Sequence, residues 1–313
     1  MEKQKKKMTL TQFFLIYIII LACILLGVSA CTGSVNSGDT QVLSENTVSP
    51  SDNGNTSPAP SATQAANTAT PSASATPDVG NSGDPSPVTD PSPAGGSLAG
   101  LKVSIDPGHQ AQAPSGTETT APWSSQTKPK NTSGTKGTST GTDEYILNLQ
   151  IALKLRDSLT AQGATVIMTR DNNDTSLSNQ DRANISNKNN VDIIISIHCN
   201  GADSASANGT EVYSRGSGDG SAEYAARSSA EAKLAAKLVD AIVAETGAKN
   251  RGAKLSDSYT GINYANAPCF IVECGFLSNP EEDKKLNDSS YQDKIVAGIK
   301  KFLEENKSAL SSS

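Results

Sequence analysis

The hydrophobic and polar positions divide the 313-residue chain into three regions. An apolar run from Phe13 to Val28 follows a lysine-rich start. Residues 32–98 repeat Ser, Thr, Pro, Ala, Asn and Gly and contain no aromatic residue. From residue 99 onward, apolar positions recur at the spacing of strands and helices. We therefore predict a head (1–31), a linker (32–98) and one folded domain (99–313).

Within the domain, short apolar runs alternate with stretches of helical spacing. We predict strands at 101–105, 164–169, 192–197, 210–214 and 270–272, and helices at 143–162, 178–187, 221–246 and 290–306. The run 192–197 is apolar almost throughout, as expected of a strand covered on both faces. Strands that alternate with helices indicate an α/β domain with a mostly parallel sheet. Residues 110–142, rich in Thr, Ser, Gly and Lys, are predicted to form an unusually long loop.

The head has the arrangement of a secretory signal, with four lysines before its apolar run. The run ends in Val28-Ser29-Ala30-Cys31, which resembles the lipobox of bacterial lipoproteins. That resemblance implies cleavage before Cys31 and a lipid on its sulfur. The alternative is an uncleaved membrane span, since residues 10–30 are just long enough to cross a bilayer. Both alternatives place residue 32 onward outside the cytoplasmic membrane, and the lipoprotein faces the cell wall.

Composition separates the linker from the domain. The linker holds nine of the fifteen prolines and no basic residue, and it has too few apolar groups to offset the entropy of ordering. We predict that it is disordered and that it lets an anchored domain reach a target away from the membrane. The domain has no surplus of basic residues, which argues against nucleic acid as a partner.

The chain contains two histidines, and each follows a predicted strand. His109 comes after the turn that ends strand 101–105, and His198 comes after strand 192–197. Because α/β sheets bind ligands at the carboxyl ends of their strands, we expect both imidazoles to share one site. A metal there needs a further ligand, and Glu144 in the first turn of a helix is the candidate. An acid at that position is also favoured by the helix dipole alone.

A second acid, Glu273, closes strand 270–272 and reaches the same edge. Two histidines and one glutamate, with a fourth position left to water, form the ligand set of a catalytic zinc site. Zinc would lower the pKa of that water and polarise a carbonyl group. Glu273 would take the proton of the water and pass it to the leaving amine. The chain lacks His-Glu-x-x-His, which argues against the common metalloprotease helix.

Four motifs occur in a fixed order: Ile105-Asp106-Pro107-Gly108-His109, Glu144 opening a helix, Ser196-Ile197-His198-Cys199-Asn200, and Glu273-Cys274-Gly275-Phe276-Leu277-Ser278-Asn279-Pro280-Glu281-Glu282. Over about residues 100–306 the chain resembles the zinc-dependent N-acetylmuramoyl-L-alanine amidases of the amidase_3 type. The resemblance implies zinc ligands at His109, Glu144 and His198 and a catalytic glutamate at Glu273. It also implies a twisted, mostly parallel sheet with helices on both faces.

The reaction implied by the resemblance is hydrolysis of the amide between N-acetylmuramic acid and the L-alanine of the stem peptide in peptidoglycan. Arg182 matches an arginine common in the family, where it could touch substrate or form a structural ion pair. Trp123, within the long loop, could stack on a sugar or pin the loop. Gln110 departs from the family pattern, in which glycine often follows the first histidine. The loop 110–142 is also longer than usual.

Three cysteines belong to the domain, and we predict that all are buried free thiols. Cys269 and Cys274 lie five positions apart, so on one strand they would point to opposite faces and could not pair. Cys199 neighbours His198 and would face away from the metal.

The leading hypothesis is a membrane-tethered zinc amidase that cuts peptidoglycan. One alternative is a non-catalytic wall-binding lipoprotein that keeps an amidase fold as a scaffold. Another is a zinc hydrolase that acts on a different amide or ester. The scaffold hypothesis expects a lost ligand or a lost catalytic acid, and the sequence retains all four residues.

Overall fold

The structure, a computed structural model, describes residues 95–311. The predicted head (1–31), with its lipidation site at Cys31, and most of the predicted linker lie outside the described residues. Leu98, assigned to the end of the linker, is fully buried in the core. Its backbone N–H donates to the Gln162 carbonyl at 2.9 Å. The packed structure therefore begins before residue 99.

The predicted alternation of strands and helices is confirmed, with bounds shifted by a few residues. The strands are β1 Lys102–Pro107, β2 Thr117–Thr119, β3 Thr127–Pro129, β4 Thr165–Met168, β5 Ile193–Asn200, β6 Thr210–Arg215, β7 Asn250–Ser256 and β8 Cys269–Phe276. The helices are α1 Glu144–Ala161, α2 Asn179–Lys188, α3 Ala222–Thr246, α4 Thr260–Tyr264, α5 Pro280–Leu286 and α6 Ser289–Leu310.

Six strands form one sheet in the order β4-β1-β5-β8-β6-β7. Every neighbouring pair is parallel except β6 with β8, so the predicted mostly parallel α/β sheet is confirmed. His198 on β5 lies opposite Glu273 on β8, and Glu273 lies opposite Glu211 on β6. These pairings bring the second histidine and the predicted catalytic acid side by side.

Helices cover the sheet on both faces. On the face that we call the core face, α1, α3 and α6 pack on alternate strand residues such as Ile195 and Phe270. On the opposite face, which we call the site face, a smaller apolar cluster gathers Ile194, Ile271 and Ile262, the last from α4. Residues that alternate along β5 divide between the two clusters, because successive strand side chains point to opposite faces.

The ends of two helices follow the signals in the sequence. Ser178 and Asp181 form a reciprocal capping box at the start of α2. Gly247 ends α3 in the left-handed region at φ 69°, which glycine adopts without a Cβ clash. Local sequence therefore sets where these helices begin and end.

The segment 110–142, predicted as a long loop, also contains a short antiparallel hairpin, which β2 and β3 form and which was not predicted. Glu118 on β2 is buried, and its carboxylate accepts the backbone N–H groups of Asn179 (3.2 Å) and Gln180 (3.1 Å) at the start of α2. These N–H groups have no partner within the helix, so an acid satisfies them well. The hairpin thus depends on a tertiary contact rather than on its own apolar pattern.

The three cysteines of the domain are free and buried, as predicted. Cys269 and Cys274 both lie on β8. Among residues 95–311, no helix combines the length and the apolar character that crossing a membrane requires.

Candidate metal centre and active site

The turn after β1 carries His109, whose backbone lies in the left-handed region at φ 59°. Residues with a Cβ rarely adopt this conformation, so contacts around the turn must hold it. The Gly108 N–H donates to the Ile197 carbonyl at 2.9 Å and ties the turn to β5. Glycine is required at 108, because a Cβ there would lie 2.2 Å from Cε1 of His198. The turn therefore packs directly against the second histidine.

Two buried arginines hold the carbonyl groups of this turn. Arg182 donates to the Pro107 carbonyl at 2.7 Å and to the His109 carbonyl at 2.8 Å. Arg170 donates to the Pro107 carbonyl at 2.8 Å and to the Gly108 carbonyl at 3.0 Å. Arg170 was not among the residues predicted for the site. Its position two residues after β4, at the same edge of the sheet, was the available signal.

The side chains of His109, Glu144 and His198 meet at this edge. Glu144 Oε1 lies 3.3 Å from His109 Nε2 and 3.2 Å from His198 Nδ1. The imidazole rings are nearly perpendicular, with centroids 4.8 Å apart. One ligand atom from each residue lies within 4.8 Å of the other two. Two imidazole nitrogens and a carboxylate oxygen this close fit a divalent transition metal such as zinc and leave a coordination position open.

Backbone groups orient two of these side chains. His109 Nδ1 lies 2.9 Å from the Thr132 carbonyl, which can only accept, so Nδ1 donates to it and Nε2 faces Glu144. Glu144 accepts the Thr135 N–H at Oε2 (2.9 Å) and the Cys199 N–H at Oε1 (3.2 Å). The segment after the hairpin, which supplies Thr132 and Thr135, is therefore part of the support of the site.

Protonation states in the cluster suit a cation. Burial by itself would raise the pKa of Glu144, but contacts with His109 and His198 hold that pKa well below its usual range. Burial lowers the pKa of His198 and favours the neutral imidazole. An ionised Glu144 beside a neutral His198 is the state in which these two residues bind metal.

Glu273 projects from the sheet on the same side as His198, because the two residues are direct partners on adjacent strands. Its side chain is buried, and Oε2 has no hydrogen-bond partner within the described part of the chain. Burial and the carboxylates of Glu144 and Glu211 raise its pKa well above the usual range. A carboxyl group with raised proton affinity at the wall of a cleft is suited to accept and release a proton.

These four residues line one open cleft of about 690 Å³. Two acids of α5 hold segments that adjoin it. Asp283 accepts the backbone N–H groups of Ser139 (2.7 Å) and Thr140 (2.8 Å), and Glu282 accepts the N–H of Gly209 (2.8 Å). The acidic start of α5 therefore positions the surroundings of the cleft.

The two residues suggested as substrate contacts are engaged elsewhere. Arg182 is buried and forms an ion pair with Asp106 at 2.7 Å, which corresponds to the structural alternative. Gln110 is fully buried and accepts a hydrogen bond from Arg182 at 2.7 Å. Trp123 does not line the cleft; its indole packs edge-on against Tyr224 with ring centroids 4.8 Å apart. That contact corresponds to the loop-pinning alternative.

Comparison with known proteins identifies the family of the chain. Residues 103–305 match the Amidase_3 family, described as N-acetylmuramoyl-L-alanine amidase. The chain belongs to this family. It is 32% identical over 202 residues to the N-acetylmuramoyl-L-alanine amidase LytC of Bacillus subtilis (strain 168), which is 64% of this chain and 34% of LytC. The family member described here thus spans about a third of the length of that relative.

Further relatives include a germination-specific N-acetylmuramoyl-L-alanine amidase of Bacillus subtilis (strain 168), 28% identical over 174 residues, 51% of this chain and 69% of the relative. An N-acetylmuramoyl-L-alanine amidase structure from Clostridium difficile 630 aligns with a TM-score of 0.55 at 28% identity, covering 68% of this chain and 98% of that one. The structure of the N-acetylmuramyl-L-alanine amidase Ami1 from Mycobacterium smegmatis aligns with a TM-score of 0.58 at 26% identity. The alignment covers 69% of this chain and 99% of that one. The fold implied by the sequence resemblance is confirmed.

Proposed function

We propose that this family member is a zinc-dependent peptidoglycan hydrolase that cleaves the amide between N-acetylmuramic acid and the L-alanine of the stem peptide. The observation that carries the proposal is the convergence of His109, Glu144, His198 and the unpartnered carboxyl of Glu273 in one open cleft. The relatives named above are amidases of that bond, which supports the same target here.

Each residue of the site then has a role. His109, Glu144 and His198 hold the metal ion, which supplies Lewis acidity toward the scissile carbonyl and lowers the pKa of a water molecule when it is bound. Glu273 removes a proton from the attacking water. The same carboxyl group then delivers that proton to the alanine nitrogen as the carbon–nitrogen bond breaks. The raised pKa of Glu273 favours the second step, because it stabilises the protonated acid until the amine leaves.

The test is digestion of purified cell wall followed by mass spectrometry. We expect released stem peptides with a free L-alanine amino terminus. Glu273→Gln should lower kcat by about 10³-fold, because it removes the proton acceptor and keeps the shape of the side chain. Its metal content should stay that of the wild type. New reducing sugar ends, cuts inside the peptide, or full activity in Glu273→Gln would contradict the proposal.

A matched control is Glu245→Gln on α3, which makes the same change in an ion pair with Lys301 on α6. Activity should be unchanged in this variant. Chelation should abolish activity, and added zinc should restore it. A wild-type protein that binds wall but releases no peptide would instead favour the non-catalytic scaffold.

We further propose that the domain acts outside the cytoplasmic membrane and that Cys31 carries the lipid anchor. The support is the lysine-rich head, its apolar run and the small residues before Cys31. Mass spectrometry of the mature amino terminus should find a lipid on Cys31, and Cys31→Ser should lose it. An intact head at the amino terminus of the mature protein would favour the uncleaved span.

A further inference from the structure

A row of two lysines and two tyrosines lies beside the cleft, and we call it the cationic row. Lys128 Nζ lies 5.9 Å from the ring centroid of Tyr259. The rings of Tyr259 and Tyr213 are 5.0 Å apart, and Lys254 Nζ lies 5.5 Å from the Tyr213 centroid. Each of the four residues is partly exposed. The row is therefore accessible to a ligand and held in place by cation–π and ring contacts.

The row begins one strand away from the proposed catalytic acid. Tyr213 donates its hydroxyl to Glu211 Oε1 at 2.9 Å, and Glu211 lies directly opposite Glu273. Lys254 on β7 is the strand partner of Tyr213 on β6. Paired residues on adjacent strands project to the same face. A substrate bound in the cleft and extended across the sheet toward β7 would therefore meet the row.

Two cations, Lys254 and Arg251, meet the carboxylate of Glu211 at the end of the row near Glu273. Glu211 is buried, and its Oε2 accepts from both Lys254 (2.5 Å) and Arg251 (2.6 Å). One carboxylate thus lies between two cations. The ammonium group of Lys254 remains partly exposed, with 36% of its side chain accessible.

The other end is Lys128, which the β2–β3 hairpin carries. Its Nζ donates to the Ser258 carbonyl at 2.9 Å. Burial lowers the pKa of Lys128, and the charge of Glu118 acts in the opposite direction. Its cross-strand partner Glu118 is occupied by the backbone N–H groups that begin α2. The hairpin therefore presents a lysine whose neighbouring carboxylate, Glu118, is already engaged by backbone N–H groups.

A small cavity of about 60 Å³ adjoins this end of the row. Lys128 and Tyr259 line it together with apolar side chains that include Ile194, Ile271 and Ala183. Ile194 and Ile271 lie on the site face, earlier on the same strands as His198 and Glu273. The ion pair of Asp106 and Arg182 also lines the cavity, beside its apolar walls. A cavity of this size admits a small side chain and excludes a large one.

We propose that the cationic row is the subsite for the peptide part of the substrate, with Lys128 and Lys254 pairing with carboxylates of that peptide. The inference rests on the proposed function. Stem peptides combine free carboxylates with alanine methyl groups, which complement the ammonium groups and the apolar walls of the small cavity. The hairpin within 110–142 then selects substrate by charge, since it brings Lys128 to the site.

The experiment uses two soluble muramoyl peptides that differ only in whether one peptide carboxyl group is a carboxylate or a carboxamide. We expect wild-type kcat/KM to be about fivefold higher for the carboxylate form, as for a solvent-exposed ion pair. In Lys128→Gln and in the double variant Lys128→Gln, Lys254→Gln, that preference should fall toward one. In Lys128→Gln the loss should appear as a higher KM for the carboxylate form with kcat nearly unchanged.

Lys301→Gln is the matched control, because it removes the same charge from α6, which covers the core face. It should keep the wild-type preference. No preference in the wild type, or a preference that survives in the double variant, overturns the inference while the amidase function stands. Failure of the wild type to cleave either peptide overturns the proposed function and this inference with it.

Discussion

The two faces of the sheet are built from different interactions. On the core face, long helices bury aliphatic and aromatic side chains against the sheet. On the site face, short helices and a hairpin leave part of the sheet open, and buried ionisable side chains lie beside the cleft: Arg170, Arg182, Glu144, Glu211 and Glu273. Successive side chains on one strand point to opposite faces of the sheet. Residues that stabilise the fold can therefore lie on one face, while residues of the candidate site lie on the other.

The largest expected effect on stability is on the core face. Phe270 is fully buried and packs edge-on against Phe302, with centroids 6.4 Å apart. Phe270→Ala should lower the free energy of unfolding by about 3–5 kcal/mol, because it removes buried apolar surface and leaves a cavity. Urea unfolding measures the loss, and Phe270→Leu should lose less. Activity of the folded fraction should be unchanged; a large fall in kcat would mean that the two faces are not separable.

On the site face, the ion pair of Asp106 with Arg182 should contribute a comparable free energy of unfolding, and this contribution should depend on pH. Burial by itself would raise the pKa of Asp106, but Arg182 and the hydroxyls of Ser196 and Thr169 hold that pKa well below its usual range. Because the folded state binds the proton less readily than the unfolded state, this stabilisation is complete above about pH 4 and is lost as the pH falls below it. Asp106→Asn should cost about 3 kcal/mol near pH 7, since Arg182 stays buried without its partner.

The check on Asp106 is urea unfolding at a series of pH values from about 6 to 2. The free energy of unfolding of the wild type should fall across this range more steeply than that of Asp106→Asn. Equal slopes in the two proteins would show that the ion pair does not stabilise the site face.

A smaller effect, on metal affinity, is expected from a substitution in the turn that carries His109. Gly108→Ala should weaken metal binding by about 10- to 100-fold, because its methyl group would displace the ring of His198. Competition with a chromophoric chelator measures the affinity. Gly261→Ala is the control, since a Cβ there meets no atom within 4 Å. Equal affinities in both variants would mean that the turn can move without disturbing the ligands.

The smallest effect is expected at Trp123, which is 37% exposed and contacts Tyr224 rather than the cleft. Trp123→Ala should cost less than about 1 kcal/mol of stability, as for loss of one edge-on ring contact. Hydrolysis of purified wall should remain within about twofold of the wild type. A large rise in KM on wall with stability intact would instead support sugar stacking.

The elements that the sequence did not predict share one property: their apolar signal is weak or too short. β7 is an edge strand whose sequence is largely polar and whose residues are half-buried. The hairpin strands are three residues long, and α4 has five residues. Hydrophobic periodicity needs several residues on one buried face before it indicates an element. These segments are instead held by contacts such as those of Glu118 with α2.

The residues of the candidate site also divide into those that the sequence predicts and those that it does not. His109, His198 and Glu273 could be placed at one edge because each follows an apolar strand, and parallel strands share the direction of their carboxyl ends. Arg170, Glu211 and Thr132 could not be placed, since their roles depend on which strands are neighbours and on where the 110–142 segment folds back.

By itself, the sequence determined the alternation of elements, the α/β class and the set of residues that could bind a metal. Those follow from local periodicity and from the rarity of histidine in the chain. Only the tertiary structure decided that Arg182 forms an ion pair, that Trp123 lies away from the cleft and that Lys128 joins a row beside Glu273. Each of these depends on contacts between residues far apart in the chain, and no local pattern of apolar and polar positions encodes which distant partners will meet.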